Sequence, residues 1–84
     1  MTLFAAWAGT AFAADGELTG PWEAIHRVAP DLLLVDSPAT LSRVYHELKW
    51  SLPEHTPLFV AEVAAAKSSF VAPGTLRWLR ERGG

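Results

Sequence analysis

The sequence predicts a small α/β fold, a two-layer sandwich in which two or three helices cover a sheet of three to four strands. Short apolar runs at residues 2–8, 31–36 and 57–63 have the length and composition of strands. Segments with apolar residues at helical spacing lie between and after them, which predicts the order βαβαβα. The chain has 84 residues and forms one domain, residues 1–84, because half this length could not bury a viable core.

The first segment, MTLFAAWAGTAFAADGE, has two main interpretations. As a strand, Thr2–Ala8 is a short apolar run ending at Gly9, which is typical of a strand buried on both faces. As an export signal it offers an apolar stretch and a cleavage site near Ala13, but such signals begin with basic residues, and residues 1–26 contain no Lys or Arg. We expect a strand in a cytoplasmic protein, with export after cleavage near Ala13 as the alternative. A helical start is the third option, because the segment is rich in alanine.

The second element is predicted to be a helix over residues 21–29. Pro21 suits the first helical position, and Glu23 places a carboxylate near the helix N-terminus. Apolar residues recur at helical spacing, namely Trp22, Ile25 and Val28. Pro30 ends the segment. A strand over residues 22–29 is the alternative, because the segment is short.

The middle of the chain predicts a strand followed by the clearest helix. Asp31–Asp36 contains four apolar residues between two acids, as in a central strand covered on both faces. Ser37 then suits an N-cap and Pro38 the first helical position, and Pro53 closes the helix. The buried stripe of this helix consists of Leu41, Val44, Tyr45, Leu48 and Leu52.

The last two elements are a strand over Pro57–Val63 and a helix over Thr75–Arg82 with Leu76 and Leu79 facing inward. A sheet this narrow has two edges close to its centre, and exposed edges invite pairing with another chain. We therefore expect a homodimer that extends the sheet or covers its edge.

Composition excludes several kinds of chemistry. The chain has no cysteine, which rules out disulfides, thiolate zinc sites and cysteine nucleophiles and favours a reducing compartment. No apolar run reaches the ~18–20 residues of a membrane-spanning helix. The net charge is −2, so nucleic acid is a less favoured partner than protein, although basic residues cluster in residues 63–84.

The few ionisable groups form no recognised catalytic or metal motif. His46 and Glu47 lie on the predicted helix and His55 lies beyond it, and no pair of histidines is spaced i, i+4. Loops that bind phosphate and nucleophile-elbow motifs are also absent from the sequence. We expect no catalytic residue, no metal and no cofactor. The alternative is a small enzyme or ligand-binding domain that uses Asp36, His46 and His55.

Two aromatic and basic surfaces are predicted instead. At 100° per residue, Trp50 lies opposite the buried stripe of its helix, with Arg43 on the same side and His46 beside them. Such a Trp anchors a partner, is covered by the C-terminal segment of the same chain, or stacks on a base. The second surface lies on the last helix and consists of Arg77, Trp78 and Arg80.

The stretch LLLVDSPATLSRVYHELKWSLPEHTPLFVAEV, closed by GTLRWLRER, resembles the back half of small ferredoxin-like proteins related to the CRISPR adaptation endoribonucleases. The resemblance covers residues 32–82 and lies in the order of element types. It implies a βαββαβ fold, which requires a strand over residues 22–29, and dimers formed through the sheets. The Asp that binds metal at the end of the family's first strand is absent, because Trp7-Ala8-Gly9 stands there. The resemblance therefore implies a member without nuclease activity.

Taken together, these features predict a small, non-enzymatic interaction or regulatory domain that acts through homodimerisation and binding to a protein partner. A nucleic-acid-associated ferredoxin-like protein is the alternative, beside the small enzyme.

Overall fold

The computed structural model describes residues 2–64 and 73–82. Within these residues the chain forms a four-stranded sheet and two helices, so the predicted small α/β class is confirmed. A single 3₁₀ turn, Asp15–Glu17, follows the first strand. The elements are β1 (Thr2–Ala8), β2 (Ala24–Ala29), β3 (Leu32–Ser37), α1 (Leu41–Trp50), β4 (Leu58–Glu62) and α2 (Thr75–Glu81).

The strands lie in the order β2-β3-β1-β4, and every neighbouring pair is antiparallel. The N-terminal strand β1 therefore lies between β3 and β4, inside the sheet. Since β3 and β4 are both antiparallel to β1, they are parallel to each other, and α1 connects them across β1. Neither helix is long and apolar enough to span a membrane, in the part of the chain that the structure describes.

The prediction of a helix over residues 21–29 is wrong. Ala24–Ala29 forms β2, which pairs with β3 through a tight turn at Pro30 and Asp31. Ile25 and Val28 fit a strand as well as a helix in so short a segment, and pairing with β3 decides between them. The predicted order βαβαβα is accordingly replaced by three strands, a helix, a strand and a helix.

The start of α1 also differs from the prediction. Ser37 is the last residue of β3, and its hydroxyl accepts a hydrogen bond from the Ala39 N–H at 3.0 Å. The helix begins three residues later than predicted because Thr40 is the N-cap, accepting from the Arg43 N–H at 3.2 Å. Val44 and Leu48 are buried as predicted.

Four side chains predicted to face inward are less buried than expected, and one of them, Leu52, is half-buried and lies beyond the end of α1. Leu41, at the start of α1, and Leu76, on α2, are each 40% exposed. Tyr45 on α1 is half-buried. The buried stripe of α1 is therefore narrower than its apolar spacing predicts.

The two faces of the sheet carry separate hydrophobic clusters. On one, called here the α1 face, alternate residues of β1 and β3 pack against α1 and the segment 9–23. On the opposite face, called the α2 face, Leu34 and Val28 pack against Leu79 of α2. The buried members of the α1-face cluster are Phe4, Ala6, Ala8, Phe12, Leu18, Leu33, Val35, Val44 and Leu48.

Candidate functional site

Two large aromatic side chains lie exposed on the α2 face. Trp7 of β1 and Phe59 of β4 are paired neighbours on adjacent strands, and their side chains share one face of the sheet. They are 44% and 65% exposed. Ala61 follows on the same face of β4. These three residues are called the apolar strip. Trp7 was expected to be buried with the rest of β1, and that expectation is wrong.

The apolar strip is exposed because α2 covers the other half of the sheet. This helix has seven residues, and its buried Leu79 packs against Val28 and Leu34 on β2 and β3. The alternate residues of β4, Leu58 and Val60, pack into the cluster on the α1 face. Thus β4 carries apolar side chains on both faces, and only one face is covered by the described elements.

No strand among the described residues pairs with the outer edge of β4, so this edge offers backbone groups to a further strand. The Gly9 N–H donates to the Pro57 carbonyl at 2.9 Å, and the Val63 N–H donates to the Leu3 carbonyl at 2.8 Å. Because hydrogen-bonded pairs alternate along antiparallel strands, the odd-numbered residues of β4 direct their N–H and C=O groups toward β1. The outward groups then belong to Leu58, Val60 and Glu62.

The two edges of the sheet differ in how they are protected. The β2 edge has an irregular register between Arg27 and Ala29 and carries two ionisable side chains, His26 and Arg27. Bulges and charged side chains discourage pairing with another strand. The β4 edge has a regular register, no proline and no basic residue within Leu58–Glu62. Pairing is therefore opposed less at β4 than at β2.

A second exposed surface lies on the outer side of α1, as the helical spacing predicts. Trp50 is 71% exposed, and its ring centroid lies 6.1 Å from that of His46. Arg43 lies on the same side of the helix and pairs with Glu47 at 3.2 Å. An open groove of about 670 Å³ extends from Trp50 to Pro57 at the end of the helix. The alternative in which the C-terminal segment covers Trp50 is not seen in residues 73–82, the part of that segment that the structure describes.

The predicted surface on α2 divides into packed and exposed residues. Trp78 is half-buried, with the ring of His26 stacked on it at 5.6 Å and the Arg82 guanidinium 5.0 Å from its centroid. Arg77 is exposed and pairs with Glu81 at 3.1 Å. Arg80 is also exposed. Trp78 therefore attaches α2 to the sheet, a contact that the sequence did not reveal.

Asp36 belongs to the same attachment. Its carboxylate accepts a hydrogen bond from Arg82 at 3.1 Å, and its side chain is only 10% exposed. On the other side of Trp78, the His26 Nε2 atom lies 2.6 Å from the Thr75 hydroxyl at the start of α2. Both ends of this short helix are thus held to the sheet by polar contacts.

The alternative catalytic residues do not converge on one pocket. Asp36 lies on the sheet beside Arg82, His46 lies on the outer side of α1, and His55 lies in the next loop with its side chain 90% exposed. His46 donates from Nδ1 to the Ser42 carbonyl at 2.7 Å. Among the described residues there is no group of three or more His, Cys, Asp or Glu side chains that could hold a metal ion.

Sequence reasoning identified Trp50 but missed the apolar strip. The signal available in the sequence was the run Leu58–Glu62, which places large apolar side chains at both even and odd positions of one strand. Comparison of the chain with protein-family models, with curated proteins and with solved structures found no match.

Proposed function

We propose that this chain is a non-catalytic association domain that forms a homodimer and binds a protein partner. The observation that carries the proposal is the exposure of Trp7 and Phe59 side by side on the sheet. Large aromatic side chains dominate the free energy of protein interfaces when they are buried by a partner. Burying apolar surface contributes about 25 cal/mol per Å² before the costs of association are subtracted. The apolar strip is therefore the primary interface.

Self-association through the apolar strip is tested with Phe59→Ala. We expect sedimentation equilibrium to give a concentration-dependent dimer for the wild type and a weaker one for the variant. Leu41→Ala is the matched control, because Leu41 is also a large apolar side chain that is exposed, by 40%, and it lies on a different surface. Circular dichroism should show that both variants keep the fold. A wild-type chain that stays monomeric at high micromolar concentration contradicts the proposal.

Trp50 supports a second surface, for a protein partner. Its 71% exposure beside an open groove is the observation that favours this role. We expect Trp50→Ala to leave the fold intact and to reduce the capture of specific proteins from the native host. Leu76→Ala, which removes an exposed apolar side chain on α2 outside the groove, is the control. Capture that is unchanged in Trp50→Ala, or lost after nuclease treatment, would exclude a protein partner at Trp50.

The finer fold assignment is part of the proposal. Two parallel strands, β3 and β4, flank β1 and are joined by α1, which is the split βαβ arrangement of ferredoxin-like folds. The hairpin of β2 and β3 supports the same assignment. Residues 9–23, however, carry a 3₁₀ turn in place of the first helix, and α2 lies on the opposite face from α1. The two-layer description therefore applies to α1 and the sheet, and α2 lies outside these two layers.

The resemblance to the CRISPR-related family supports a nucleic-acid-associated protein as the second candidate. The observation that favours it is β2, because the family requires a strand at this position. We propose a member without nuclease activity, since no acid ends β1 and Asp36 is engaged with Arg82. Metal-dependent cleavage of RNA or DNA that disappears in Asp36→Ala contradicts this.

A cytoplasmic location is proposed on the absence of cysteine.

A further inference from the structure

We propose that two copies of this chain pair antiparallel along β4, about a two-fold axis at Val60. This inference rests on the proposed homodimer and names the part of the sheet that forms it. The two four-stranded sheets would then join into one of eight strands. The axis is set by three features of β4: its outward backbone groups, its side chains on the α2 face, and its single charge.

The outward backbone groups favour an axis at Val60. In an antiparallel pair, residues that face each other in a hydrogen-bonded position exchange both N–H···O bonds. With the axis at Val60, Leu58 faces Glu62 of the second copy and Val60 faces its own equivalent. Every outward residue of β4 then has a partner within the strand. With an axis at Phe59 or Ala61, one end of β4 would face residues of the second copy that lie outside its own β4.

Pro57 does not oppose this pairing. Proline lacks an N–H, and in a strand it is tolerated where its nitrogen does not face a hydrogen-bonding neighbour. Pro57 lies just before β4 and its carbonyl accepts from Gly9, so its backbone is directed toward β1. The outer edge therefore loses no donor to proline.

The side chains on the α2 face fit the same axis. Phe59 of one copy would lie opposite Ala61 of the other, so that a large side chain meets a small one twice by symmetry. Trp7 flanks Phe59 within each sheet. The apolar strips of the two copies then form one continuous surface, in which Ala61 of the second copy flanks each Phe59 at the strand edge.

The charge of β4 disfavours an axis at Ala61. Glu62 is the only ionisable residue in Leu58–Glu62. With the axis at Val60 the two Glu62 residues lie at opposite ends of the paired strands, separated along the strand by four residues, roughly 13 Å. An axis at Ala61 halves that separation, and like charges close together across a strand pair are destabilising.

Residue-resolved amide exchange of the wild-type chain is the direct test. We expect the amides of Leu58, Val60 and Glu62 to exchange rapidly in dilute solution and to become protected as protein concentration rises. The amides of Phe59 and Ala61 donate toward β1 and should be protected at every concentration. This alternation of behaviour along one strand is specific to edge pairing.

A proline substitution gives an independent test. Glu62→Pro removes both the side chain and the outward backbone N–H. Glu62→Ala removes the side chain but keeps that N–H. Each dimer loses two equivalent hydrogen bonds, so we expect the Kd for self-association to rise about tenfold or more relative to Glu62→Ala. If Glu62→Pro does not fold, the amide-exchange measurement on the wild type decides alone.

The outcomes separate this inference from the proposed function. A dimer in which the three outward amides stay unprotected overturns the pairing of β4 and leaves the homodimer standing. The absence of any self-association overturns both. Protection of the same amides by a different protein, but not by concentration, overturns the second copy as the occupant of this edge.

Discussion

Arg27 ties the segment after β1 to the sheet. Its guanidinium group donates to the Asp15 carboxylate at 2.9 and 3.2 Å and to the carbonyls of Phe12 and Pro30 at 3.3 and 3.0 Å. It also donates to the carbonyl of Ala13. One side chain thus satisfies several backbone acceptors in a segment that forms only one short 3₁₀ turn, so the position of the segment depends on it.

We predict that Arg27→Ala lowers the free energy of unfolding by about 1–3 kcal/mol, because carbonyls close to the core lose their donor. Arg43→Ala is the matched control. Arg43 is 62% exposed and makes a single i, i+4 pair with Glu47, for which a change of at most about 0.5 kcal/mol is expected. Urea unfolding measures both values. Equal losses in the two variants would show that Arg27 does not hold the segment.

Gly20 is required by the ring of Trp22. A Cβ atom at residue 20 would lie 2.5 Å from the nearest ring carbon, and the ring is held in place by a hydrogen bond from its Nε1 to the Leu18 carbonyl at 3.1 Å. We predict that Gly20→Ala costs about 1–3 kcal/mol of stability through this overlap. At Gly16 a Cβ meets no atom within 4 Å, so Gly16→Ala should change stability by less than about 0.5 kcal/mol. Thermal unfolding of the pair checks this, and a Gly20→Ala variant as stable as Gly16→Ala contradicts it.

Among the helices and strands, those that depend only on nearby residues could be predicted from the sequence. The strand at β1, the strand at β3 and the existence of α1 follow from apolar runs and helical spacing, and the structure has them. The identity of β2 depends on its partner, because Ala24–Ala29 becomes a strand by pairing with β3. Ser37 failed as an N-cap for a similar reason, since β3 extends through it.

The candidate site divides in the same way. The exposure of Trp50 follows from the spacing of residues within α1, which the sequence contains in full. The exposure of Trp7 and Phe59 depends on which strands are neighbours and on where α2 lies. Neither can be read from residues close in sequence, so a Trp in an apolar strand was interpreted as core.

The attachment of α2 to the sheet can be tested with one buried side chain. Leu79 is 2% exposed and joins α2 to Val28 and Leu34. We predict that Leu79→Ala lowers the free energy of unfolding by about 2–4 kcal/mol and speeds amide exchange in α2 more than in β1. Leu76→Ala, on the same helix but 40% exposed, should have a much smaller effect. Uniform acceleration of exchange across the chain would instead show that α2 and the sheet open as one unit.

For the whole molecule, the position of β1 determines the connectivity of the fold. This strand pairs with β3 on one side and with β4 on the other, and its alternate side chains Phe4, Ala6 and Ala8 are buried on the α1 face. Without β1, the hairpin of β2 and β3 and the strand β4 would have no hydrogen-bonded connection to each other. An isolated two-stranded hairpin is marginally stable at best in water.

We therefore predict that a chain beginning at Ala14 does not fold cooperatively, and that circular dichroism and urea unfolding show no two-state transition. A chain ending at Gly74 is the control, because it loses α2 but keeps all four strands, and it should unfold cooperatively with reduced stability. A cooperative transition in the chain that begins at Ala14 would mean that β3 and β4 find another arrangement without β1. That result would also favour the export interpretation of the first segment, because cleavage near Ala13 would then leave a stable domain.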